Sequence, residues 1–140
     1  MIRKLQKSDI NRVADIWLDT NIKSHSFIPA QYWKDNLETV KEMFLQAEIY
    51  VYEERNKIQG FIGLDNDYIA GIFVWSEAQS NGIGKQLLDF VKGMKRQLNL
   101  SVYKKNIRAL SFYKRENFDI QCEDTDENTG EKEYLMIWKK

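Results

Sequence analysis

The segment from Tyr68 to Leu88 holds an apolar run, a polar turn with glycines at 82 and 84, and the start of an amphipathic stretch through Ile83 and Leu87. That order reads as a buried strand, a tight turn and the first turn of a helix. Glycine lets the main chain approach a ligand with no Cβ in the way. The first amides of a helix have no intrahelical acceptor and carry partial positive charge. Such a turn suits a phosphate group, so the residues alone describe a nucleotide-like phosphate site built mostly from main chain. The plainer reading is a tight turn, but a plain turn does not need a polar loop with two glycines leading into a helix.

Spacing separates the families that use such a turn. A P-loop needs glycine at 79 and Ser or Thr at 86, where this chain has Gln79 and Gln86. A dinucleotide fingerprint needs glycine at 87, where it has Leu87. What fits is Gln79-Ser80-Asn81-Gly82-Ile83-Gly84, which resembles the acyl-CoA diphosphate loop of the GNAT acetyltransferase superfamily. A second stretch, Asn106-Ile-Arg-Ala109-Leu-Ser-Phe112-Tyr113-Lys-Arg-Glu-Asn117-Phe118, is similar to the other signature of that superfamily. Asn117 stands where the family usually has glycine, and asparagine tolerates the left-handed helix end that glycine would supply.

The resemblance implies that acetyl-CoA is the co-substrate. Main-chain groups of Ile72, Phe73 and Val74 would bond the pantetheine arm. Amides of Gln79, Ser80, Asn81, Gly82, Ile83, Gly84 and Lys85 would hold the diphosphate, with the Lys85 ammonium as an added charge. Asn106 would cap the helix that follows it and touch the cofactor arm. The implied reaction is direct attack of a primary amine on the thioester within a ternary complex. The departing thiolate has a conjugate acid near ~8.5 and a free tyrosine sits near ~10, and the family uses the tyrosine at position 113 as general acid. The plainer reading of Tyr113 is an aromatic core residue beside Phe112. The acceptor is an amine of a small molecule or of a protein. The alternative of a different class is an acyl-CoA-binding module that senses or recruits without transfer.

His25, the one histidine, precedes Pro29 in the region that lines the acceptor pocket of this family. An imidazole near ~6.5 suits a base for an ammonium substrate, whereas a lone polar loop histidine is commonly structural. Asp65, Asp67 and Glu77 bracket the strand and read first as turn or surface charges. The acidic run from Glu123 to Glu133 reads as a solvated hairpin that could attract a cation. Phe27, Tyr32 and Trp33 could wall a pocket or belong to the core, and Cys122 reads as a small core residue.

The elements that must position these groups follow from periodicity. Residues 2–5 form a strand, and Ser8 caps a helix with Ile10, Val13, Ala14 and Trp17 inward. A polar connection from Asn21 to Phe27 leads to Pro29 and a second helical region with Trp33, Leu37, Val40 and Phe44 on one face. Strands from Ile49 to Tyr52, Ile58 to Leu64 and Tyr68 onward make a meander with turns at 55–57 and 65–67. A long helix buries Ile83, Leu87, Val91, Met94 and Leu98, with Gly93 a weak point. A short strand from Leu98 to Tyr103, a helix from Ile107 to Glu116, and strands Phe118 to Cys122 and Tyr134 to Trp138 complete the chain. The order βααβββαβαββ matches the implied α/β fold, a mixed central sheet of about seven strands with helices on both faces.

A length of 140 residues suits one domain over 1–140. Lys plus Arg and Asp plus Glu both number 21, so net charge supplies no argument for nucleic acid or an anionic membrane as partner. One cysteine excludes an internal disulfide and a cysteine-rich metal site, and no metal is expected. No apolar run is long enough to span a bilayer. The expectation is a cytoplasmic monomer or homodimer.

Overall fold

The computed structural model describes residues 1–140. Alternation fixes the sheet. In β2 (Glu48–Glu54) and β3 (Lys57–Asp65), Ile49, Val51 and Phe61 belong to one core, and Tyr50, Ile62 and Leu64 to the other. A strand's period of two puts them on opposite faces, so both faces are apolar and both need cover. Helices α1 (Ile10–Ser24), α2 (Ala30–Asp35) and α3 (Leu37–Phe44) cover the first, led by Val13, Ile16, Trp17 and Trp33. Helices α4 (Ile83–Lys92) and α5 (Ile107–Arg115) cover the second through Leu87, Leu88, Val91 and Tyr113. Each fully buried large aliphatic side chain contributes about 1.5–3 kcal/mol.

The seven strands lie in the order β1-β2-β3-β4-β5-β7-β6, with β1 at Ile2–Lys4, β4 at Tyr68–Val74, β5 at Gln97–Tyr103, β6 at Asp119–Thr125 and β7 at Lys132–Lys139. All neighbours are antiparallel except β4 and β5. Left-handed Arg55 and Asn56 form the β2–β3 turn, the conformation whose twist matches a two-residue hairpin. The expected mixed α/β sheet with helices on both faces is the architecture observed.

Five local expectations are corrected. The first helix is not capped by Ser8: a short 3-10 turn at Lys7–Asp9 precedes it, and the Asp9 carboxylate accepts the Gln6 N–H at 2.8 Å. That helix also runs through Asn21 to Ser24, so the polar connection is shorter and Asn21 is buried. The second helical region is interrupted at Asn36, giving α2 and α3. The long helix stops at Lys92, because Gly93 weakens it and Leu98 is taken into β5, while Met94 is exposed. Cys122 is exposed, since β6 is an edge strand with β7 as its single neighbour. No helix is long and apolar enough to cross a membrane.

Candidate active site

The site arises where the one parallel pair fails. β4 and β5 are in register only at Tyr68↔Asn99 and Ile69↔Leu100. Against β3 the register slips so that Gly63 faces Gly71 and Leu64 faces Ile69, leaving Ala70 as an extra residue. A bulge bends the strand that carries it, and beyond this one β4 parts from β5. Only Ile69 of β4 is buried, which corrects the expectation of a buried strand: Gly71–Val74 are half-exposed because no β5 residue pairs with them. Gly71 is required locally, since a Cβ there would lie 2.4 Å from the Phe73 ring, which is stacked on Phe61.

The gap opens into a cavity of about 480 Å³. Its floor is Ile72, Phe73 and Val74. One wall is Gln79, Ser80, Gly82, Ile83, Gly84 and Lys85, and the opposite wall is Asn106, Arg108, Ala109, Phe112 and Tyr113 of the α5 segment. Thr20, Asn21, Ser24 and His25 close it from α1. The structure thus brings together His25 and every residue that the resemblance assigned to the cofactor or to proton transfer except Asn81, whose side-chain amide turns away to donate to the Ala78 carbonyl at 3.2 Å. Asp65, Asp67 and Glu77 do not line the cavity.

The glycine turn is a run of free donors. Ser80 and Gly82 are left-handed, with φ of 68° and 77°. The first intrahelical bond is Gln86 N–H to the Gly82 carbonyl, and the amides of residues 80 to 85 donate to no acceptor in the protein. Successive amides in such a turn form an anion-binding concavity at the positive end of a helix dipole. A Cβ on Gly84 would meet only ordinary contacts with Phe112, Ile72 and Val74, so its absence leaves space in the cavity rather than relieving a clash. The Gln79 side-chain amide donates to the Val74 carbonyl at 3.1 Å, tying the turn to the end of β4. Lys85 is less available than expected, because its ammonium is shared between Asp89 and Glu116, each at 3.1 Å.

Arg108 was not singled out from the sequence. Its guanidinium donates to Gln79 Oε1 at 3.1 Å and Ser80 Oγ at 3.3 Å, bridging α5 to the glycine turn. It has no carboxylate partner, and it sits two residues after Asn106 at the start of α5, the signal that could have found it.

Tyr113 is buried on the cavity wall, edge-on to Phe112 and Phe118. Burial, with a smaller contribution from Tyr68, raises its phenol above the usual value, so the hydroxyl stays protonated at any physiological pH. The turn after it is a Schellman closure: Phe118 N–H bonds to the Tyr113 carbonyl at 2.9 Å and Asn117 N–H to the Lys114 carbonyl at 3.1 Å, with Asn117 at φ 72°. Asparagine therefore does stand in the left-handed position. Asn106 caps α5, its Oδ1 accepting the Ala109 N–H at 3.2 Å.

His25 ends α1 and sits among Phe27, Trp33 and Tyr103, with ring centroids 5.7, 5.5 and 5.0 Å away. Tyr32 stands behind, edge-on to Trp33. Both imidazole nitrogens have partners, Asn21 Oδ1 at 3.0 Å from Nδ1 and Asn106 Nδ2 at 3.1 Å from Nε2. Burial lowers its pKa to about 4, which ill suits a base near neutrality.

A seven-stranded mixed sheet split at one parallel pair, with an amide-rich helix start on one lip and a buried tyrosine on the other, defines the acyl-transfer class. The family model described as Acetyltransferase (GNAT) domain matches residues 46–120. Peptidyl-lysine N-acetyltransferase YiaC of Escherichia coli is 36% identical, over 99% of this chain and 96% of its own. The solution structure of apo-form YjaB from Escherichia coli superposes with a TM-score of 0.88 at 21% identity, covering 99% of this chain and 96% of that one. The PaiA N-acetyltransferase of Thermoplasma acidophilum, solved with coenzyme A, gives a TM-score of 0.83 at 18% identity, covering 100% and 98%. The chain belongs to the GNAT acetyltransferase family. It is an acetyltransferase of that family, with acetyl-CoA as co-substrate.

Proposed function

We propose that residues 1–140 act as one domain that moves the acetyl group of acetyl-CoA to the ε-amine of a protein lysine, by direct attack in a ternary complex. One observation carries this reading: the gap between β4 and β5 meets a run of free amides on one side and Tyr113 on the other. The thioester arm would lie along Ile72–Val74, and the amides from Ser80 to Lys85 would take the diphosphate, the Gln79 N–H being engaged by the Ser76 carbonyl, with Arg108 adding a guanidinium beside them. The Tyr113 hydroxyl would donate to the sulfur as the C–S bond breaks and hand it a proton. The ammonium proton of the acceptor goes to water, since no free carboxylate lines the cavity: Glu116 is engaged by Lys85. The lysine acceptor is supported by the YiaC relative.

The test is calorimetric titration with acetyl-CoA, followed by thiol release with lysine-containing peptides. Binding by the wild type, abolished in Gly84→Glu and weakened about tenfold in Arg108→Gln, supports the assignment. Binding with no turnover on any peptide would instead identify an acyl-CoA-binding module, and no binding would refute both.

A further inference from the structure

His25 is a titratable group of the cavity that the proposed chemistry leaves unused, and its surroundings fix its protonation without reference to titration. Asn21 is 4% exposed and its Nδ2 donates to the Trp17 carbonyl at 2.9 Å, so Oδ1 is the atom that faces His25 Nδ1. Asn106 is oriented the same way from the other side. Its Oδ1 accepts the Ala109 N–H as the α5 cap, so Nδ2 is the atom facing His25 Nε2. Flipping either amide would set a donor against a donor or an acceptor against an acceptor at its main-chain partner. An acceptor at Nδ1 and a donor at Nε2 admit one state of the ring, neutral with its proton on Nδ1.

We propose that His25 is a positioning residue of the acyl-transfer site: as the neutral Nδ1–H imidazole it accepts one hydrogen of Asn106 Nδ2 and thereby fixes the second for the arm of the bound cofactor. The amide nitrogen of Asn106 carries two hydrogens, and the lock uses one. Ala109 N–H and His25 together hold the amide plane at two of its corners. The remaining N–H belongs to a side chain lining the cavity, where a carbonyl or hydroxyl of the cofactor arm can accept it. Through Asn21 the same ring joins the end of α1 to the start of α5, 81 positions apart. Burial opposes charging the ring, in keeping with this state. The groups packed around it are Phe27, Trp33 and Tyr103, together with the two amides. Tyr103, the one titratable neighbour among these, gives its hydroxyl to Asp126 at 2.6 Å. This role rests on the acetyl-CoA reading above, whereas the hydrogen-bond lock does not.

The test has an arm for each. Because the chain has one histidine, long-range proton–nitrogen correlation of the free protein reports its ring alone. A neutral Nδ1–H pattern between pH 6 and 8 is expected, and a charged ring or an Nε2–H pattern would overturn the lock. For the role, His25→Phe should raise the acetyl-CoA KM about tenfold, the scale of one misplaced hydrogen bond. Its kcat at saturation and the shape of its pH profile should stay as in the wild type. His25→Gln, which keeps an acceptor near the Nε2 position, should recover most of the affinity, and thermal melts of both variants separate this from loss of fold. A loss in kcat of a hundredfold with a vanished acidic limb would make His25 a base and overturn the proposal. So would a His25→Gln as impaired as His25→Phe. Failure of the wild type to bind acetyl-CoA would refute the functional reading and the cofactor role together, while the ring spectrum would still decide the lock.

Discussion

Replacing Tyr113 with phenylalanine removes one oxygen from a ring held edge-on by Phe112 and Phe118. No protein group hydrogen-bonds to that hydroxyl, and the upward shift of its pKa comes from burial with a smaller contribution from Tyr68. Its loss therefore orphans nothing, and stability should change by no more than about 0.5 kcal/mol. The effect on rate should be of another order. A free phenol near ~10 and a thiol near ~8.5 differ by about 1.5 units, so complete proton transfer to the thiolate runs uphill by about 2 kcal/mol. Burial disfavours both anions and raises both values together, so the gap persists inside the cavity. It is small beside a chemical barrier, and a hydrogen bond to the developing thiolate offsets part of it. Losing a placed general acid lowers rates by about 10²–10⁴, or about 3–5 kcal/mol at 1.36 per decade. Thiol release in single turnover, at saturating acetyl-CoA and peptide, would read that loss directly. Calorimetry should find acetyl-CoA affinity within about threefold of wild type. Turnover of Tyr113→Phe within threefold of wild type would refute the assignment, as would a rate loss matched by an equal loss of affinity.

Two further outcomes concern the frame of the site. The Asp9 carboxylate is held below its usual value, first by the Arg3 hydrogen bond and also by the Gln6 N–H, against an opposing contribution from burial. Its contribution to stability is therefore present above the unfolded value near ~3.9 and is lost as pH falls through the folded value. Asp9→Asn should lower stability at pH 7 by about 1–3 kcal/mol and lose less than wild type on acidification, as urea melts at pH 7 and pH 3 would show. Asn117 sits at φ 72°, so Asn117→Ala should cost about 1 kcal/mol while Asn117→Gly should be tolerated. Thermal melts compare the two, and an alanine variant as stable as wild type would contradict the strain argument.

The parts of the site made by the main chain were legible in the sequence, and the parts made by side-chain partnership were not. Gly82, Gly84 and the Asn106-to-Phe118 stretch report backbone conformation, which is local, and the left-handed Asn117 could be anticipated from the glycine that the resemblance puts at its position and from asparagine's tolerance of that conformation. Asn21 and His25 show the opposite case. Periodicity reports that a side chain is buried but not which group from a distant element answers it, so part of a polar stretch read as a connection continues a helix, with Asn21 buried and His25 paired to a residue 81 positions away. Leu98, read both as the end of the helical stripe and as the start of a strand, is the strand residue for a related reason. Leu98 suits a helical stripe and a strand face equally, and the edge of β7, invisible locally, claimed it for β5. Cys122 suits a core by residue type, yet an edge strand at the end of the sheet order has little to bury against.

Charge was silent at the level of composition and informative once located. The chain balances 21 basic against 21 acidic side chains, which by itself argues for no anionic partner. Around the cavity the balance is broken in one direction. Lys85 is neutralised by Asp89 and Glu116, but Arg108 is held by the uncharged Gln79 and Ser80. A guanidinium oriented by neutral acceptors keeps its charge and spare donors, at the lip of a turn whose own amides are free. Guanidinium matches phosphate in geometry as well as charge, so the local excess lies where the diphosphate of acetyl-CoA would sit. Elsewhere the acidic hairpin restores neutrality, with Glu131 on Lys105 and Glu123 on Lys104. The same zero that gave no hint of a ligand thus conceals a local cationic excess at the cofactor lip, where an anionic group would be held.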